Sequence, residues 1–333
     1  MKITNETNIS LEQCSLVVEE FLKKMFLDKR KPAALYEPID YVMDAGGKRV
    51  RPLLALIACN LFCDEIEKAL MPAISLEIFH NFTLLHDDLM DNASLRRNRP
   101  TVHQRWNNNA AILSGDAMMI LAYQYLSKAS PENLTALLDT FSQTALEVCE
   151  GQQYDMDYEQ RADVTIEEYL NMIRLKTAVL LAASLKIGAI CGGADASNCE
   201  ALYRFGIALG LSFQIQDDWL DLYSDPDVFG KAIGGDILSG KKTFLLITAF
   251  EKADEKTRED LCALLNDKKL SSIKKINGVK SIYDQFKVSD VTQQAVVKYY
   301  KQALSCLNEV DIPDKSRKAA LEIFAEKLLK REK

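Results

Sequence analysis

Along most of the chain, apolar residues recur at i, i+3, i+4 and i+7, the spacing that gathers them on one face of an α-helix; Leu53, Leu54, Ile57, Ala58 and Leu61 form one such stripe. Helices are therefore predicted nearly throughout. Helix starts carry capping residues that satisfy amide groups lacking a partner inside the helix: Ser130 before Pro131, Thr165 with Glu168, Ser197 with Glu200, and Asp290 with Gln293. Alternating β-branched segments closed by tight Asn-Gly or Asp-Gly turns are missing, apart from an exposed-looking Asn277-Gly278, so no sheet is required. No Ser/Gly/Pro-rich linker interrupts the pattern. A more charged segment from about 252 to 290 reads as a peripheral insertion, and the chain as an all-α, single large helical-bundle domain over residues 1–333.

Composition agrees with a self-sufficient core, because 333 residues with 48% hydrophobic and 27% charged side chains bury enough apolar surface without disulfides. The formal charge, 41 − 48 = −7, supplies no general field toward nucleic acid or an anionic membrane, so any basic site must be local. Eight cysteines include no C-x-x-C pair; Cys59 and Cys63 stand at helical i, i+4 spacing, and buried free thiols are expected. The N-terminus, MKITNETNISLEQ, is polar where a signal peptide needs an apolar stretch, and no run of eighteen apolar residues occurs. These features point to a cytoplasmic protein with no membrane span.

Two acidic clusters carry most of the chemical information. Asp87-Asp88-Leu-Met-Asp91 and Asp217-Asp218-Trp-Leu-Asp221 share one D-D-x-x-D spacing, 217 − 87 = 130 positions apart. On a helix the first and third Asp stack at i, i+4 and the second joins at i, i+3, so three carboxylates crowd one rim and repel without a cation. Each follows a strongly apolar run, Phe79 to Leu85 and Phe205 to Ile215, which places the acids where a buried helix emerges into a cavity. Hard oxygen ligands in this arrangement suit Mg²⁺ shared with substrate phosphates. A single D-D-x-x-D is commonly a solvated patch; two copies in such similar frames argue for a clamp on one diphosphate.

A phosphate site also needs cations, and the chain concentrates them in Lys48, Arg49 and Arg51 of GGKRVRP, in Arg96, Arg97 and Arg99, and in Lys231, Lys241 and Lys242. Guanidinium forks at Arg96 and Arg97, just after the first acidic cluster, suit bidentate binding of diphosphate oxygens. The plainer reading of each triplet is a solvated face paired with nearby acids. Gly46-Gly47-Lys48 lacks the spacing of a P-loop, leaving nucleotide binding with little support.

These motifs together resemble the trans-isoprenyl diphosphate synthases, the family of the farnesyl and geranylgeranyl diphosphate synthases, from about residue 40 to 250. The resemblance rests on GGKRVRP (46–52), His80, LLHDDLMDNASLRRNRPT (84–101), SGDAM (114–118), EGQQYDM (150–156), Lys176-Thr177, FQIQDDWLD (213–221), and FGKAIGGD with GKKT (229–243). It implies the type I isoprenoid synthase fold, a homodimer, and a soluble enzyme acting on isopentenyl diphosphate and an allylic diphosphate. Asp87, Asp88, Asp91, Asp217, Asp218 and Asp221 would hold three Mg²⁺ ions on the allylic diphosphate, directly or through water, with Arg96, Lys176 and Lys231 adding positive charge. Lys48, Arg51, His80 and Arg97 would bind isopentenyl diphosphate, while Lys176, Thr177 and Gln214 would face the developing cation. Without the resemblance, His80 in IFHNF would read as a core histidine; His86 and His103 have weaker claims.

The resemblance also bears on product length. A chain growing away from the diphosphates runs along the helix before Asp87, which rises about 1.5 Å per residue, so Thr83 and Phe82 lie roughly 6–8 Å down and Phe79 a turn deeper. A single aromatic five positions before an uninserted D-D-x-x-D is similar to geranylgeranyl synthases and points to a twenty-carbon product, with a fifteen-carbon product as the alternative and ordinary core packing as the plainer reading of Phe82. The second D-D-x-x-D argues against a class I terpene cyclase, and the retained ligand sets argue against a non-catalytic subunit. Lys48, Arg51 and His80 favour isopentenyl binding over head-to-head condensation. Two departures from the family pattern are Asn98, where many members have Gly, and the region after 250, where no motif aligns. The terminal LLKREK, with Lys330, Arg331 and Lys333, is similar to a basic tail that caps the isopentenyl site in some members, though a solvated helix end is the simpler expectation.

Overall fold

The computed structural model describes residues 9–25, 30–224, 233–312 and 314–330; Lys231, Arg331, Lys333 and the side chain of Lys330 lie outside the described residues. The chain runs α1 (Leu11–Lys24), α2 (Ala33–Met43), α3 (Val50–Asn60), a 3₁₀ turn (Ile66–Ala69), α4 (Leu70–Met90), the hairpin β1 (Leu95–Arg96) and β2 (Arg99–Pro100), α5 (Val102–Arg105), α6 (Asn108–Leu126) and α7 (Leu134–Glu159). It continues through α8 (Ile166–Ile173), a π-helical turn (Arg174–Ala178), α9 (Val179–Gly192), α10 (Ala196–Tyr223), α11 (Gly235–Ser239), α12 (Phe244–Lys252), α13 (Glu255–Asn266), α14 (Ser272–Gln285), α15 (Val288–Glu309), a 3₁₀ turn (Lys315–Lys318) and α16 (Ala319–Lys330). The architecture is all-α, as the apolar periodicity predicts.

Local chemistry accounts for the boundaries, with some corrections. Thr165 and Glu168 form the expected capping box at α8. At α10 the cap is Asp195, whose Oδ1 accepts from Asn198 N at 2.8 Å, rather than Ser197. Asp290 lies within the first turn of α15, which already starts at Val288. Ser130 heads a turn in which its carbonyl accepts from Asn133 N, and α7 begins at Leu134. Asn277-Gly278 is not a turn, because both residues sit inside α14, where Gly278 faces Leu264. The hairpin that does form pairs Leu95 with Pro100 and Arg96 with Arg99, and its two-residue turn is Arg97-Asn98. Both turn residues have positive φ, 53° and 58°, as a type I′ turn requires. Asn tolerates that conformation, which explains how Asn98 replaces Gly there.

Two compact units each draw on discontinuous segments: 1–142, 183–203 and 310–321 in one, and 143–182, 204–309 and 322–333 in the other. In the first unit, Leu54, Leu56, Ile57 and Phe79 are fully buried, and Phe79 meets Phe141 edge-on at 5.2 Å. Gly188 and Gly192 on α9 lie against the carbonyls of Ala55 and Cys59 on α3, so small residues at matched four-residue spacing let the two backbones touch. In the second unit, Gly206 and Gly210 on α10 meet Ala182 and Ala178 in the same way. One core there gathers Tyr169, Ile215, Phe244 and Val296; another gathers Leu222, Leu245, Leu261, Val279 and Tyr283. The latter core corrects the reading of 252–290 as a peripheral insertion: Leu261, Val279 and Tyr283 are structural.

The segment Ile166–Gly192 is long and apolar enough to cross a membrane by length and composition, but 72% of its most apolar window is buried inside the protein. All eight cysteines are free; Cys14, Cys59, Cys191, Cys199 and Cys306 are buried, whereas Cys63 is half-buried and Cys149 and Cys262 are exposed.

A Cβ at Gly188 would overlap the Ala55 carbonyl, which belongs to rigid helix backbone. Gly188→Ala is therefore expected to lower stability by about 1–3 kcal/mol, read as a reduced midpoint in urea unfolding at unchanged slope.

Candidate active site

In the first unit, the loop before α3 turns through three residues of positive φ, Gly46 at 74°, Gly47 at 131° and Arg49 at 47°. Arg49, buried at the N-cap of α3, is held by three acceptors: Glu77 Oε1 at 2.8 Å, Glu19 Oε1 at 3.0 Å and the Met43 carbonyl at 2.7 Å. Those bonds offset the left-handed backbone at Arg49 and fix the loop carrying exposed Lys48 and half-buried Arg51. Arg97 donates to the Gly46 carbonyl, and its guanidinium occupies the space a Cβ on Gly47 would need, at 2.8 Å from Nη2.

The structure thus brings Arg51, His80 and Arg97 into one electrostatic neighbourhood. Burial, reinforced by Arg97 and opposed by Glu77, lowers Arg51 to about 10. Burial and the charges of Arg51, Arg97, Arg96 and Arg49 push His80 well below its usual value, so its imidazole is neutral at pH 7. A neutral ring beside crowded guanidiniums is a donor-rich site for an anion.

The first acidic cluster occupies the C-terminal end of α4, where exposed carbonyls make the helix dipole negative. A helix N-terminus would have accounted for these aspartates; a C-terminus makes them costlier and favours a cation. Asp88 is buried, Asp87 half-buried and Asp91 exposed. From β1, Arg96 donates to Asp88 Oδ1 through Nε at 2.9 Å and Nη2 at 2.6 Å, and lies 3.6 Å from Asp87 Oδ2. Burial still raises the Asp88 carboxyl above its ordinary range, with Arg96 opposing the shift. A small cavity lined by Tyr41, Asn81, Asp88, Arg96, Arg97 and Thr101 opens beside this pair. Below it, Phe82 is buried between Phe79 and His86, at ring separations of 5.5 Å and 4.8 Å, while Thr83 donates to the His80 carbonyl. His86 is within 3.3 Å of the Ile112 carbonyl, and His103 is buried with neither ring nitrogen hydrogen-bonded.

In the second unit, the other cluster lies at the C-terminal end of α10, with the same unfavourable dipole. Asp217 is exposed; Asp218 is buried and accepts from Tyr169 Oη at 2.6 Å, Phe244 N at 3.1 Å and Gln214 Nε2 at 3.2 Å. Asp221 accepts from the amide of Asp236 at 3.1 Å, tying α11 to the cluster. Burial followed by the repulsion of Asp236 raises Asp218 to about 7; burial and Asp221 raise Asp236 to about 7 as well. Lys176 stands in the π-helical turn, an element frequent at functional sites, and pairs with Asp155 at 2.5 Å. Its neighbour Thr177 donates to Gln214 Oε1 at 3.2 Å, so Thr177, Gln214 and Asp218 form one connected network. Gly151 makes room for that turn, since a Cβ there would overlap Lys176 N.

Among the described residues, no three acidic, His or Cys side chains enclose a metal by themselves. The residues still fit Mg²⁺, which keeps waters and completes its shell with substrate phosphates; crowded, partly exposed carboxylates with raised proton affinity are the donors such an ion requires. Several site residues escaped sequence reading. Glu77 is a single acid inside an apolar run, Asp155 and Asp236 lie in EGQQYDM and FGKAIGGD without an evident role, and Tyr169 has the pattern of a core aromatic.

The polyprenyl synthetase family model matches residues 32–285, beyond the point where motifs alone align. The chain is 44% identical over 224 residues to a geranylgeranyl diphosphate synthase of Methanosarcina mazei, covering 67% of this chain and 69% of that protein. A crystal structure of a geranylgeranyl pyrophosphate synthase matches with a TM-score of 0.92 at 41% identity, over 98% of this chain and 100% of that one. A polyprenyl synthase of Caulobacter crescentus CB15, solved with calcium and isoprenyl diphosphate, matches with a TM-score of 0.86 at 25% identity, over 99% and 100% of the two chains.

Asp218 and Asp236 bind protons more tightly folded than unfolded, so stability falls as pH rises from the ordinary carboxylate value of 3.8 through about 7. In metal-free buffer the melting temperature is expected to drop between about pH 5.5 and about pH 8; Asp236→Asn should flatten that profile and raise the value at about pH 8.

Proposed function

We propose, on the premise that the chain belongs to the polyprenyl synthetase family, that it condenses isopentenyl diphosphate head-to-tail with allylic diphosphates and makes geranylgeranyl diphosphate. It is a prenyltransferase. The observation that carries the reading is that each D-D-x-x-D cluster lies toward a helix C-terminus, where dipole, burial and mutual repulsion disfavour ionised carboxylates without cations, and that Arg96 pairs directly with the first cluster.

Isopentenyl diphosphate is held by Lys48, Arg51, His80 and Arg97, with neutral His80 serving as a hydrogen-bond partner rather than a further charge. The allylic diphosphate takes its fixed positive charge from Arg96, Lys176 and Lys231. Asp87, Asp88, Asp91, Asp217, Asp218 and Asp221 would hold three Mg²⁺ ions, which would supply the remaining neutralisation of the leaving group. Arg96 already spans Asp87 and Asp88 and is poised to shift toward phosphate oxygens. As the allylic carbon–oxygen bond breaks, the Thr177 hydroxyl, the Gln214 amide oxygen and backbone carbonyls of the π-helical turn orient negative dipoles toward the carbon. The isopentenyl double bond attacks that carbon, and the released diphosphate accepts the proton then lost.

Product length is set where Phe82 closes the apolar side of α4, with Phe79 and Phe141 rigid beneath it. The enzyme acts as a cytoplasmic homodimer of single-domain subunits. In support, α6 exposes Leu113 at 58%, Ile120 at 60% and Ile112 at 44%, with Leu113 and Ile120 seven residues apart on one face.

Purified protein given Mg²⁺, labelled isopentenyl diphosphate and dimethylallyl, geranyl or farnesyl diphosphate should yield a twenty-carbon product, and Asp87→Ala and Asp217→Ala should each lose about 100-fold or more of the rate. No elongation with any primer would refute the reading. Phe82→Ala should extend the product beyond twenty carbons, measured by chromatography of the dephosphorylated alcohols; an unchanged product would place the floor elsewhere.

A further inference from the structure

Among the polar atoms of the first unit that are buried without a hydrogen-bond partner, three belong to neighbouring charged or amide side chains: Glu77 Oε2, Asn81 Oδ1 and Arg51 Nε. Glu77 is 2% exposed and Asn81 0%. The two stand at i, i+4 on α4 and share a face. Asn81 spends its amide on Glu77, donating to Oε1 at 2.9 Å and to the backbone carbonyl at 2.8 Å, which leaves its own oxygen unused. Glu77 Oε1 also takes Arg49 Nη1 at 2.8 Å, so its second oxygen is the one left over. The charge of Glu77 acts on Arg49, Arg51 and Arg97 together.

Leaving such groups unsatisfied is costly, and two acceptors with one donor are the complement of a single water, which donates twice and accepts once. We propose that Glu77 and Asn81 are positioning residues for Arg51, holding a buried water that donates to Glu77 Oε2 and Asn81 Oδ1 and accepts from Arg51 Nε. The guanidinium is thereby aimed by its inner nitrogen, and its two outer nitrogens face isopentenyl diphosphate; this rests on the assignment of Arg51 made above. The Glu77 charge also keeps Arg49, Arg51 and Arg97 together before any anion arrives.

Two measurements decide it. A crystal structure of the substrate-free protein with ordered solvent should contain a water within hydrogen-bond distance of all three atoms; its absence, or direct contact of Arg51 Nε with Glu77, overturns the proposal. Glu77→Gln keeps the side-chain volume and an oxygen for Arg49 but replaces Oε2 with a donor. The variant should raise the KM for isopentenyl diphosphate about tenfold or more, with kcat and the KM for the allylic diphosphate within about threefold. Equal movement of both KM values, or a loss of stability alone, overturns it. Should the wild-type protein not elongate isopentenyl diphosphate, the functional reading falls, and the solvent density still decides the position of Arg51.

Discussion

Carboxylates crowded at the carbonyl ends of two helices are the constraint on which the other features depend. At the ends of α4 and α10 the helix dipole, burial and mutual repulsion all act against ionised aspartate. The fold meets that cost locally. Arg96 folds back onto Asp88, Tyr169, Gln214 and an amide of α12 converge on Asp218, and α11 presents the Asp236 amide to Asp221. Each compensation is partial: Asp88 and Asp218 keep raised proton affinities.

The basic side answers with the opposite problem. Guanidiniums brought together repel one another, and a buried carboxylate, Glu77, sits among them with Arg49 as its direct partner. Arg49, in the middle of GGKRVRP, serves this internal pair rather than solvent, while Lys48 beside it is exposed and Arg51 half-buried. The left-handed backbone at Arg49 and the glycines before it are the conformational cost of that division.

Much of this was legible in the sequence where the signal is local. The repeated D-D-x-x-D and the basic triplets declare themselves through spacing, the Lys176-Thr177 pair only through the family resemblance, and helical periodicity gave the fold class. What lay hidden depends on through-space pairing or on register. Glu77 reads as an isolated charge in an apolar run because its partners are 28 positions before it and four after it. The π-helical turn shifts hydrogen-bond register without a distinctive residue. Charge count made 252–290 look peripheral because the apolar face of Leu261, Val279 and Tyr283 is sparse beside its lysines and acids. Asp195 displaced Ser197 as a cap because an acidic residue two positions earlier is in place to take the Asn198 amide.

The hairpin between α4 and α5 acts as a register device. Adjacent guanidiniums leave it for different destinations, Arg96 to the acidic cluster and Arg97 to the glycine loop. A two-residue turn of positive φ sets which arginine goes where. Inserting or deleting one residue in that turn would not simply loosen a loop; it would exchange the errands of two neighbouring cations. The length of this turn is thus a more stringent inheritance than the identity of its residues, since Asn can stand in for Gly but a third residue cannot be absorbed.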